Sequence, residues 1–290
     1  MREVFRKKEF RGESLAKIIL CNQIIEQYVG QGLRLTLRQL YYQLVIRNAI
    51  KNKEREYKNL SSLVSDARLA GIMDWDAIED RIRQPVVAQE FADLNDLVNV
   101  ALNSYRLPRW KGQGSYCELW VEKDALAGVL RPLAREYHVT MMVNRGYSSQ
   151  SAMYESANRF REAEEQDKKC LLLYLGDHDP SGEDMVRDIA DRLQMFLCDL
   201  EVEKLALTMD QVEQYDSPPN PAKMEDPRAA KYVDQHGASS WEVDALPPEA
   251  LGEIIRGRLV QIIDQEKMDA VEVQEEKDKK WLKAKVGGKR

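Results

Sequence analysis

Apolar positions recur along this chain with two different periods, and the change between them divides it. From Ser14 to Tyr28 the residues Leu15, Ile18, Ile19 and Ile25 share one helical face, and Gly30 and Gly32 close the segment. Thr36 then caps a second expected helix, Leu37 to about Asn48. A polar break at Lys51-Asn-Lys-Glu leads into a third, Tyr57 to Ala70, ended by Gly71. Helix, short break and helix predict a winged helix-turn-helix. Lys58, Ser62 and Arg68 on the third helix are then candidate DNA contacts, and Asp80–Val87 would belong to a wing. Three helices with polar surfaces also occur in modules that never meet DNA, so the pattern leaves both readings open.

Residues 104–116 are dense in Gly, Pro and polar positions and mark a boundary. Beyond it, short apolar runs alternate with helical periods. Strands are expected at 117–121, 138–143, 170–175 and 202–207, with helices at 124–136, 149–166 and 182–198 between them. That order predicts an α/β domain built on a parallel sheet with right-handed crossovers. Ser181 and Asp184 have the spacing of a capping box. A proline-stiffened loop (Tyr215–Lys223) follows, then a short element at Trp241–Leu246 and a helix from about Pro248 to Asp264. The charge-rich end, Glu272–Arg290, is expected to fray. The division is thus a helical domain at 1–105, an α/β domain with a C-terminal extension at 112–265, and a charged tail at 266–290.

The strand ends carry the chemistry. Cys117-Glu-Leu-Trp-Val121 runs into Glu122, and Leu171-Leu-Leu-Tyr-Leu-Gly176 runs into Asp177-His-Asp179. Open α/β sheets hold ligands just beyond the C-terminal ends of their strands. Three carboxylates on one edge repel one another unless a hard cation sits among them. The pattern predicts a Mg²⁺ site (Mn²⁺ could substitute) suited to phosphoryl transfer. Helix capping by Asp177 and a first-turn position for Asp179 would explain those two acids but not Glu122. Lys123 could meet a phosphate or pair with a neighbouring acid; His178, turned to the other side, is expected to pack or to meet a phosphate, not to ligate a metal.

Composition narrows the class. With 43% hydrophobic and 32% charged residues the chain is neither disordered nor a membrane protein, no apolar run approaches a membrane span, and Met1-Arg-Glu-Val-Phe-Arg does not open as a signal peptide. A cytoplasmic protein is expected. Cys21, Cys117, Cys170 and Cys198 are unpaired in spacing and read as core thiols. The formal charge of -6 is uneven: residues 1–70 hold 14 Lys and Arg against 7 Asp and Glu, while residues 71–200 hold 15 against 23. A basic module on an acidic body suits local contact with a polyanion.

Val121-Glu-Lys123 after one strand and Gly176-Asp-His-Asp-Pro-Ser-Gly182 after another resemble the glutamate and Asp-x-Asp motifs of Toprim domains. Thr36-Leu-Arg-Gln-Leu-Tyr-Tyr42 resembles the Arg-x-x-Tyr-Tyr segment in the winged helix of type IIB topoisomerase A subunits and their meiotic break-forming relatives. Asn144-Arg-Gly-Tyr147 and Trp241-Glu-Val-Asp-Ala-Leu246 resemble two further stretches of that family. The resemblance covers roughly residues 30–265. It implies a Rossmann-like Toprim domain with Glu122, Asp177 and Asp179 as metal ligands. It also implies Tyr42 as nucleophile toward double-stranded DNA, with Arg38 one helical turn earlier to hold the phosphate. A homodimer is implied too, since breaking both strands takes two active sites, and a separate ATPase partner. Gln39 stands where the family commonly has an acid, which leaves hydrolysis, as in the nuclease subunit of Wadjet-type plasmid defence, beside transesterification. A DNA-binding or regulatory subunit that kept the fold without catalysis is the alternative.

Overall fold

The computed structural model describes residues 2–31, 33–78, 88–144 and 146–287. Gly32, Arg145, the wing expected at Asp80–Val87 and the last three residues of the tail lie outside them. Three helices open the fold: α1 (Gly12–Val29), α2 (Leu37–Ile46) and α3 (Glu54–Leu69). Thr36 caps α2 through a full capping box with Gln39. Their apolar stripes close on a common core of Ile18, Ile24, Leu40, Leu44, Leu60 and Val64, which also takes in Tyr41 and Tyr42.

After α4 (Leu94–Ser104), which the sequence reading did not foresee, comes the α/β part. It runs β1 (Ser115–Val121), α5 (Asp124–Glu136), β2 (Thr140–Val143), α6 (Gln150–Glu164), β3 (Lys169–Leu175), α7 (Pro180–Met195) and β4 (Glu201–Ala206), with the short helices α8 (Met209–Gln214) and α9 (Ala229–His236) after it. All four strands are parallel, in the order β2-β1-β3-β4. Period-two alternation splits β3 between two cores. Leu171, Leu173 and Leu175 face α5 and α10 (Pro248–Ile262), whereas Cys170, Leu172 and Tyr174 face α6 and α7. Both faces are covered, which explains why the strand reads as an unbroken apolar run. All four cysteines are buried free thiols.

Two expectations are corrected. β2 starts at Thr140, not 138, because His138 has a left-handed φ of 52° that no strand accepts. The end of the chain is no frayed tail through residue 287 but helix α11 (Gln265–Gly287). It docks through Met268 and a buried Glu275, whose carboxylate accepts from the Leu107 amide and from Arg109, both at 3.0 Å. Among the described residues no helix is long and apolar enough to cross a membrane.

Candidate active site

The strand order fixes where a site can form. From β1 the chain crosses by α5 to β2 on one side; from β3 it crosses by α7 to β4 on the other. The crevice between the C-terminal ends of β1 and β3 is therefore the topological switch point of the sheet. Val121 and Leu175 are register partners there. The next residues of each strand, Glu122 and Gly176-Asp177, thus meet at the crevice. The Asp177 amide donates to Glu122 Oε2 at 2.9 Å and the Tyr174 hydroxyl donates to the same oxygen at 3.3 Å.

Asp179 is the N-cap of α7, its Oδ1 accepting from the Gly182 amide at 2.7 Å and the Ser181 hydroxyl at 2.8 Å. This corrects the capping box expected of Ser181 and Asp184. Pro180 supplies the first helical φ, so the helix starts two residues earlier than that box requires. Asp184 instead turns outward to Arg187 and Arg228. Of the two roles expected of His178, packing is the one seen, with Nδ1 2.8 Å from the Tyr232 hydroxyl and the ring against Trp241 and His236.

The Asp177 carboxylate is engaged by the protein. Oδ1 accepts from the Val243 amide at 2.9 Å, and Oδ2 lies 2.8 Å from Lys123 Nζ. Lys123 also reaches Glu242 at 2.9 Å and Asp244 at 3.4 Å. Arg38 of α2 pairs with the same two acids, its Nε 2.8 Å from Asp244. The result is a network of three acids and two cations at the junction of α2 with the sheet edge. Burial raises the Asp177 carboxyl to about 6 against the pull of Lys123, with Glu122 adding to the rise. For Glu242 burial works against the charge, yet Lys123 and Arg38 outweigh it and bring the carboxyl down to about 2.

Tyr42 is 3% exposed, with the Arg38 guanidinium 5.9 Å from its ring centre. Burial, then the Glu242 and Asp244 carboxylates, push its phenol well above the ordinary tyrosine value, and Arg38 pulls the other way. A small cleft of about 210 Å³ opens beside it, lined by Arg38, Tyr41, Asn52, Asn220 and Glu242.

Among the described residues no group of three His, Cys, Asp or Glu side chains stands ready around a cation position. The donor set nevertheless suits a hard divalent ion: it consists of carboxylate oxygens alone. Glu122 Oε1 and Asp179 Oδ2 take no hydrogen bond among the described residues, and Asp177 holds a cation already, the Lys123 ammonium.

The expected DNA contacts fare unequally. Lys58 is exposed and pairs with Glu54, and Ser62 donates to the Lys58 carbonyl. Arg68 is turned inward, donating to the Trp75 and Ile78 carbonyls and lying over the Trp75 ring. It anchors the end of α3, which a helix-surface reading could not reveal. Sequence reasoning also passed over Arg47, Lys53 and Arg55, which with Lys51 stand exposed around the α2–α3 turn and meet no carboxylate among the described residues. The roles of Glu242 and Asp244 were missed as well; their signal was two acids set in an otherwise apolar six-residue stretch. No protein-family model matches this chain, and no curated protein matches it.

Proposed function

We propose that this chain cleaves double-stranded DNA with a divalent cation held by Glu122, Asp177 and Asp179. On this reading α1–α3 belong to a winged helix that grips the duplex, and the sheet is a Toprim domain. One observation carries the proposal: Glu122 and Asp177, joined by a hydrogen bond, occupy the switch-point crevice, and Asp179 opens the helix behind them. Mg²⁺, with Mn²⁺ as a substitute, would supply Lewis acidity against the charge that builds on a phosphate under attack.

The residues divide the rest of the work. Lys123, whose ammonium also lies 2.9 Å from Glu242 and 3.4 Å from Asp244, has the charge to meet a phosphate oxygen when released from Asp177. The N-terminus of α7 favours negative charge at the same edge. The exposed cations of the α2–α3 turn, with Lys58, offer the duplex sequence-independent contacts. The nucleophile is water: Tyr42 is buried and its phenol resists deprotonation. The cleft beside Tyr42 favours a second reading, in which substrate enters there and Tyr42 attacks to leave a phosphotyrosyl bond. A homodimer belongs to the proposal, since two strands need two sites, and a separate ATPase partner follows from the family resemblance alone.

Supercoiled plasmid incubated with Mg²⁺ or Mn²⁺, run on gels with and without protease, tests both readings. Asp177→Asn keeps the acceptor for the Val243 amide and removes the charge; nicking should fall by more than about 100-fold, beyond the loss typical of a metal ligand's outer partner. Wild-type nicking in that variant sinks the metal assignment. Tyr42→Phe should nick as wild type. If it is inactive while still binding DNA, and wild type leaves protease-sensitive adducts, the tyrosine mechanism replaces hydrolysis. DNA binding with no nicking under any divalent cation would leave a non-catalytic binding subunit.

A further inference from the structure

A groove of about 990 Å³ lies where the end of α5, the start of β2, the end of α4 and helix α11 meet, away from the Glu122–Asp177 crevice. Asp124, at the carboxylate end of α5, and Arg135, at the groove, are about 17 Å apart along the helix at 1.5 Å per residue. Arg106, Arg109, Arg131 and Arg135 line the groove, and among the described residues two carboxylates do, Glu136 and Glu272. Both acids are engaged: Glu136 lies 3.5 Å from Arg256, and Glu272 pairs with Arg109. Arg131 and Arg135 are exposed and meet no carboxylate among the described residues. Arg109 is 7% exposed, and its Nε is buried without a hydrogen-bond acceptor. Arg109 and Arg106 also meet Glu275, at 3.0 and 3.6 Å, so the excess of positive charge rests on Arg131 and Arg135, in a stretch, residues 71–200, that is acidic as a whole.

We propose that this groove seats the phosphate backbone of a DNA duplex, gripped for its charge and not for its sequence. The inference goes beyond the cleavage reading and takes from it only the identity of the polyanion. Arg131 and Arg135 are one helical turn apart, with Cβ atoms about 6 Å from each other, so two guanidinium groups reach neighbouring phosphates of one strand. Asn103, exposed at the rim, adds a neutral donor of the kind that meets phosphate oxygens. The apolar lining is Ala134, Val139 and Met141, and among the described residues no Phe, Tyr or Trp lines the groove for a base to stack on. A nucleotide would lack a wall for its base, whereas a backbone needs none. The positive field is also felt by His138 on the same wall: burial, then Arg109, hold its imidazole below the usual value.

The test is fluorescence anisotropy of the full chain on a labelled duplex from 50 to 200 mM salt, without divalent cations so that nothing is cut. The comparison is Arg131→Gln with Arg135→Gln, checked for an unchanged melting temperature. Loss of two phosphate contacts should reduce the slope of log K against log salt by about 1.8 and weaken binding at least several-fold. An unchanged slope overturns the proposal, as does a wild type that binds no duplex. So does a groove that takes ATP in preference to DNA, or one filled by an acidic polypeptide that DNA cannot displace. Nicking by saturating protein is scored separately. A reduced slope in a chain that never nicks upholds the groove and removes the enzyme; nicking with an unchanged slope does the reverse.

Discussion

A methyl group added to Gly182 would meet the Asp177 carbonyl oxygen at 2.1 Å, far inside contact distance, so α7 approaches the edge this closely only because that residue has no side chain. Gly182→Ala should push α7 away from Asp177, cost about 1–3 kcal/mol as overpacking does, and depress nicking well beyond its effect on DNA binding. Thermal melts and plasmid assays on one preparation check this, and an inert substitution would mean that the helix start is soft. Glu118 makes a similar point inside β1. It is fully buried and held by Arg159 through Nε at 2.6 Å, with the Trp120 indole donating at 2.8 Å. Arg159→Met should cost about 3 kcal/mol by leaving that charge unpaired, and Glu118→Leu with Arg159→Met markedly less, both read from denaturant midpoints. Glu122, Asp177 and Asp179 were legible in the sequence because strand ends announce themselves by the stop of an apolar run. Glu242 and Asp244 were not, because their partners Lys123 and Arg38 stand more than a hundred residues away and no period links them.

Among elements, α5 was read to its limits, 124–136, since a strongly amphipathic pattern fixes both ends. Helix α11 was misread because a run of Glu, Lys and Asp looks fully solvated, and one buried acid among them leaves no trace in composition. That acid is testable. Burial works against the Glu275 charge, but Lys279, the Leu107 amide and Arg109 hold its carboxyl below the ordinary 4.5. A depressed carboxyl adds stability above its unfolded pKa, and that stability is lost as pH falls through the folded value. Glu275→Gln should therefore lower stability by about 2 kcal/mol at pH 7, the worth of a charged hydrogen bond. The gap to wild type should narrow as pH drops below about 4.5. Melting temperatures over a pH series decide it; a gap that stays constant would show that the Glu275 charge contributes nothing.

At the scale of the molecule, Arg38 is a main polar tie between the N-terminal helices and the sheet edge, pairing with Glu242 and Asp244. The Asp244 side chain is wholly buried, so Arg38→Met leaves it with Lys123 alone. A loss of about 3 kcal/mol is expected, with α1–α3 cut faster in limited proteolysis. If the protease pattern is unchanged, apolar packing alone joins the two parts.

Lys123 lies 2.8 Å from Asp177 on one side and 2.9 Å from Glu242 on the other. On the proposed reading, a divalent ion that drew Asp177 to itself would free the ammonium to lean on the acids that Arg38 also needs. Filling the crevice and docking α2 then draw on one shared reserve of negative charge, and thermodynamic reciprocity ties them together. Whatever factor the ion takes from the docking equilibrium, loosened helices must return to ion affinity. Arg38→Met should thus bind Mg²⁺ more tightly than wild type, so that a substitution 204 residues from Glu242 in sequence becomes a gauge of the crevice.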